Sequence, residues 1–166
     1  MIYPYLTYGI VLWGSTFQCL VNKLNVVQKK AIRCIDCADY KAHSSPIFSK
    51  LAILKIVDIY KLHVTKVILA HIRNELPPAL QNTFHLDNDT HLYNTRQNDN
   101  KYRIKSRIWR TVVASQSILH NGPKIWNALE SKLYINKNKD NTDNIVCVSS
   151  FTNRLKRCLC LAMIIS

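Results

Sequence analysis

Apolar residues in the first quarter of the chain return at steps of four, three, four and four: Leu20, Leu24, Val27, Ala31 and Ile35. Those steps lay one stripe along a helix of about 3.6 residues per turn. Asn22, Lys29 and Arg33 fall on the opposite side, and Lys23 and Lys30 flank the stripe. The helix is expected to end near Cys37, because residues 40–45 are polar. Pro46 suits the first turn of a short helix, with Ser45 as its expected cap. A longer helix is predicted from about residue 58 to 74. Asp58 lies near its positive end, and Pro77-Pro78 stops it.

Beyond the prolines the pattern changes. Residues 82–100 are rich in Asn, Asp and Thr and mark the best boundary. Tyr102, Ile104, Ser106 and Ile108 then alternate with Arg103, Lys105 and Arg107, which is the period of a strand. Residues 110–120 carry β-branched Thr111, Val112, Val113 and Ile118 and are expected to pair with it. Asn121-Gly122-Pro123 reads as a turn, with Pro123 opening a short helix through Leu129. A second linker is expected over residues 133–143, and a closing helix from Ser149, capped by its hydroxyl or that of Ser150. The expected fold is mostly α with a small antiparallel β element (α+β). A helical region would occupy residues 1–80, a polar linker 81–100 and a basic α+β region 101–166.

Composition narrows the partners. With 48% hydrophobic residues the chain is not compositionally disordered. Lysine and arginine number 23 against 10 acidic residues, a net charge of +13, which favours a polyanion such as RNA or DNA. An anionic membrane surface would also fit that charge, and a basic surface serving solubility alone is the plainer reading. No run reaches the roughly 18 unbroken apolar residues of a membrane span. The apolar start lacks the basic n-region and cleavage site of a signal peptide, and the last seven residues lack a prenylation cysteine. An intracellular, nuclear or cytoplasmic, reducing setting is therefore expected. Cys19, Cys34, Cys37, Cys147, Cys158 and Cys160 would be free thiols, and the Asn88-Asp89-Thr90 sequon would be chance.

Catalysis finds little support. Polymerases hold two divalent metals with two or three carboxylates, and no adjacent aspartate pair occurs. Asp87-Asn88-Asp89 reads as a solvated loop. Cys34-x-x-Cys37 with His43 lacks a second ligand pair at zinc spacing. Cys34 also falls on the apolar stripe, where a thiol packs as a small core residue. No histidine pair has metalloprotease spacing and no serine sits in a nucleophile elbow. His63 and His71 are expected to be partly buried. No metal and no cofactor is expected.

Nucleic-acid contact is better supported. Arg96, Lys101, Arg103, Lys105, Arg107 and Arg110 lie within 15 residues, interleaved with Tyr93, Tyr102 and Trp109. Such cations neutralise phosphates and such rings stack on bases. A solvent-facing strand over an aromatic core is the alternative. Lys29, Lys30 and Arg33 form a second candidate on the first long helix. Trp13 and Trp126 read as core residues.

Five segments, in order, resemble the C-terminal part of LINE-type (non-LTR) retrotransposon reverse transcriptases of the jockey kind. The first pairs Tyr3-Pro4-Tyr5-Leu6-Thr7-Tyr8-Gly9-Ile10-Val11-Leu12-Trp13-Gly14 with Leu24 through Gln28-Lys29-Lys30-Ala31-Ile32-Arg33. Ser45-Pro46-Ile47-Phe48 with Leu54-Lys55-Ile56-Val57-Asp58-Ile59-Tyr60 follows, then His91-Leu92-Tyr93-Asn94-Thr95-Arg96. Ser117 with Gly122-Pro123-Lys124-Ile125-Trp126-Asn127, and Ser150-Phe151 with Arg154-Leu155-Lys156, complete the series. Ala128-Leu129-Glu130 stands where the family usually has Leu-Pro after Trp-Asn. The resemblance implies a region downstream of the polymerase palm, in or just after the thumb. The expected function is then that of a non-catalytic fragment gripping RNA or an RNA/DNA primer–template, with the missing palm as a further partner. A repurposed helical interaction protein and a small zinc-binding module are the competing readings.

Overall fold

The computed structural model describes residues 3–86 and 103–133. The described chain is mostly helical: α1 (Tyr3–Thr7), α2 (Ile10–Trp13), α3 (Gln18–Ile35), α4 (Ser44–Lys50), α5 (Ile56–Ile72), α6 (Val112–Ser115) and α7 (Ile118–Leu133). A 3₁₀ turn at Pro78–Leu80 follows Pro77. The chain divides into two compact units after His63, inside α5.

In the first unit Gly9, with φ of 59°, separates the two short starting helices, and the Trp13 Nε1–H closes the corner on the Tyr8 carbonyl at 2.8 Å. Gly14 lies so close to the Tyr60 ring that a Cβ there would overlap it. α3 and α4 pack together around Val21, Ile32, Ile47 and Phe48, with Leu54, Ile56, Ile59 and Tyr60 completing the core. His43, not Ser45, stands at the cap of α4 and makes no side-chain cap bond; Ser45 lies inside the helix, and Pro46 falls within its first turn.

The buried face of α3 departs from the expected stripe. Val21, Gln28 and Ile32 are buried, whereas Leu20 and Val27 are 45% and 62% exposed and Ile35 is exposed as well. At about 100° per residue, the inward face is rotated by about 80° from the stripe. Gln28 explains the shift. Its side-chain amide donates to the Leu54 carbonyl at 2.9 Å and accepts from the Ile56 N–H at 3.0 Å. A polar residue thus holds the centre of the buried face because it satisfies two backbone groups that α5's start leaves open. Cys34 is turned out with the stripe and is exposed, which corrects the expectation that it packs inside.

Three helices stop in the same way. Cys37, Ala52 and Asn74 have φ of 51°, 51° and 58°. Each lies two residues beyond the last helical one, and each is followed by a bond reaching back five residues. These bonds run from Ala38 N to Arg33 O, Ile53 N to Phe48 O and Glu75 N to Ala70 O. That is the Schellman closure, here without glycine.

In the second unit, α5 from Val64 onward contributes Val64, Thr65, Ile68 and Leu69, and Phe84, Ile104 and Trp126 join them in the core. The expected two-stranded element is absent among the described residues. Only an isolated antiparallel bridge pairs Leu86 with Ile104, supported by a bond from Lys105 N to the His85 carbonyl at 2.9 Å. Residues 110–120 form α6 and the start of α7 instead of a partner strand. Thr111 caps α6 through its Oγ1, which accepts from Ala114 N. Asn121-Gly122-Pro123 is helical, not a turn, and lies within α7. Gly122 is where the helix comes against Phe84 and Ile68: a Cβ would stand 3.3 Å from the Phe84 ring. Pro123 removes one helical hydrogen bond and is buried beside it. The expected linker past residue 133 and the helix from Ser149 lie outside the described residues.

Candidate nucleic-acid interface

The basic segment over residues 103–110 has no regular secondary structure apart from the bridge at Ile104 and is fixed at two points. Ile104, only 1% exposed, has its N–H donating to Asn127 Oδ1 at 3.2 Å and its carbonyl accepting from Asn127 Nδ2 at 3.0 Å. The asparagine amide of α7 therefore mimics a neighbouring strand at this one residue. Leu86 bridges Ile104 as well. Three residues on, His120 Nδ1 lies 2.8 Å from the Arg107 carbonyl. A carbonyl only accepts, so Nδ1 carries the proton in this contact.

Between and beyond these anchors, no second strand among the described residues pairs with the segment. Alternation accordingly holds at Ile104 and fails afterwards, and Ile108 is 96% exposed. Lys105, Arg107 and Arg110 are exposed, while Arg103 is half-buried. Lys105, Ser106, Arg107, Ile108 and Trp109 line a shallow open groove. Trp109 is partly exposed beside those cations, the combination that contacts phosphates and stacks on a base. Arg96 and Lys101 lie outside the described residues, as do Tyr93 and Tyr102.

On α3 the second candidate set separates. Lys29 and Lys30 are exposed. Arg33 is half-buried, and its Nε donates to the Ala42 carbonyl at 2.9 Å, bracing the loop after α3. Its guanidinium thus has a structural task whatever else it contacts.

The other titratable candidates have packing roles. His71 sits edge-on to Phe84 at 5.4 Å between ring centroids. Burial lowers its pKa below the ordinary 6.5, a hydrogen bond with the Phe84 backbone raises it, and the charge of His85 lowers it further. Burial raises the Tyr60 phenol, offset in part by the nearby Ser15 side chain. Trp126 is a core residue at 1% exposure, whereas Trp13 is half-buried. Among the described residues, no three His, Cys, Asp or Glu side chains gather as a metal site. No helix among those residues is long and apolar enough to cross a membrane.

Gln28, Asn127 and His120 were not legible as site-building residues, because each acts on backbone groups far along the chain. Asn127 was visible only as part of a resemblance. No protein-family model, curated protein or solved structure matches the chain.

Proposed function

We propose that this chain is a non-catalytic part of a retrotransposon reverse transcriptase, of the thumb and post-polymerase region, and that it holds RNA or primer–template through basic residues. The observation that carries the reading is the anchored segment with Lys105, Arg107 and Arg110 turned to solvent beside Trp109. Its backbone is held by Asn127 and His120, so the cations are presented from a fixed support. Lys29 and Lys30 on α3 add two exposed charges. The net charge of +13 and the order of the five resembling segments point the same way.

Salt-dependent binding of a labelled single-stranded RNA tests this. Replacing Lys105, Arg107 and Arg110 with Gln should flatten the slope of log affinity against log salt by about 2, at roughly 0.7 per phosphate contact. An unchanged slope and affinity would remove the segment from the interface.

One observation favours a second reading, a protein-docking module. Leu12, Leu20, Val27 and Ile35 are exposed, more apolar surface than scattered single side chains need explain. RNA binding too weak to measure, together with self-association or hydrophobic-dye binding, would favour that reading.

A further inference from the structure

We propose that a concavity in the first unit, where α3, α4 and the start of α5 meet, is a pocket for a phosphate group. Asn25 and Lys29 of α3, Ser44 and Ser45 of α4, and Lys55 line it, with Phe48 as an apolar wall. Its volume of about 160 Å³ is many times the roughly 10–15 Å³ one water needs on the same measure, enough for a tetrahedral oxyanion.

The charges around it leave these two lysines over. Residues 3–63 hold eight lysines and arginines against three aspartates and no glutamate. Two of those aspartates are engaged, Asp36 by Lys50 and Asp58 by Lys61. Among the described residues neither Lys29 nor Lys55 has an ion-pair partner, and the Ser44 and Ser45 hydroxyls and the Asn25 amide have no side-chain hydrogen bond. Lys29 and Lys55 both line the concavity, where an anion between them would offset their mutual repulsion. The hydroxyls and the amide supply neutral donors for the remaining oxygens of a phosphate. Lys29 thereby acquires a role apart from that of Lys30, and Lys55 becomes a ligand residue that charge patterning did not single out.

The phosphate can come from a nucleic-acid strand or from free phosphate. Only the first source rests on the nucleic-acid reading. The test uses the whole chain labelled with ¹⁵N. Inorganic phosphate, titrated against chloride at equal ionic strength, should shift the Asn25 side-chain amide and the backbone amides of Ser44 and Ser45. Lys55→Gln should abolish those shifts, and Lys41→Gln should not. In parallel, Lys55→Gln should weaken single-stranded RNA binding about fivefold at 0.1 M salt, the value of one contact at a slope of roughly 0.7. Adding Lys29→Gln should cost little more, since both lysines serve one phosphate. Shifts with phosphate but none with RNA assign the pocket to free phosphate. If phosphate leaves those amides unmoved, or moves them equally in Lys55→Gln, the pocket is refuted. Loss of RNA binding in the Lys105, Arg107 and Arg110 variant would still leave the interface of the second unit standing.

Discussion

Gln28→Leu isolates the contact that sets the face of α3. The wild-type amide is 7% exposed and bonds both the Leu54 carbonyl and the Ile56 N–H. Leucine has nearly the same volume, so the change removes two hydrogen bonds with little cavity. Each abandoned backbone group costs about 1–3 kcal/mol. Burying the leucine methyls returns at most about 1.5–3 kcal/mol. A net loss of about 2 kcal/mol is expected, which at a urea m-value of about 1–2 kcal/mol/M lowers the midpoint by about 1–2 M. Gln28→Glu supplies an independent signature. Ionised, it can accept from Ile56 but cannot donate to Leu54, and its charge is buried; protonated, it can do both. Its folded-state pKa is thus raised, so its deficit should shrink as pH falls and grow as pH rises through that pKa. Urea unfolding followed by circular dichroism reads both effects. A Gln28→Leu midpoint within error of wild type, with no pH signature in Gln28→Glu, would show that Gln28 does not hold the start of α5.

Ala52→Gly should stabilise the chain by about 1 kcal/mol, because alanine at φ of 51° carries a left-handed penalty that glycine escapes; a lower unfolding midpoint would refute this. His71, with its pKa lowered mainly by burial, takes up protons more readily when unfolded. Its contribution is therefore complete above pH 6.5 and is lost as pH falls through the folded-state value. Stability curves from pH 8 to 5 should flatten in His71→Gln, and an equally steep fall would assign the dependence elsewhere. Asn127→Ala should free both backbone groups of Ile104 and cost about 2–4 kcal/mol. Limited proteolysis should then cut within residues 103–110, which wild type resists; equal resistance would show that Asn127 does not anchor the segment.

Much of the helical frame was legible in the sequence. Periodicity placed α3 and α5 to within about two residues, although α5 closes at Asn74, ahead of Pro77-Pro78. What periodicity could not give was the inward face of α3. Leu20, Leu24, Val27, Ala31 and Ile35 make the more apolar stripe, yet the helix turns Val21, Gln28 and Ile32 inward. Hydrophobicity alone counts Gln28 as a solvent residue. The deciding quantity is two unsatisfied backbone groups 26 and 28 residues further on, which no local window contains. The same blindness misplaced Cys34, which is exposed with Val27 and Ile35 of the stripe.

The β element failed for a related reason. Alternation of Ile104, Ser106 and Ile108 with basic residues signals a strand only if a partner strand exists to bury one face. Here, among the described residues, Ile104 has a single bridge to Leu86 and the side chain of Asn127, and an amide can pair with one residue but cannot continue a ladder. Past that point Ile108 faces water along with Lys105 and Arg107. Gly122, Pro123, Trp126 and Asn127 therefore belong together physically. The glycine admits Phe84, the proline and the tryptophan fill the core, and the asparagine grips Ile104. A segment that is conspicuous as a motif thus carries none of the candidate contacts itself. It builds the support from which the neighbouring cations project, and so a damaged support and a damaged cation must be told apart by the salt slope. Loss of Asn127 should lower affinity by loosening the segment while leaving its charges, whereas loss of Arg107 removes a counterion-releasing contact outright.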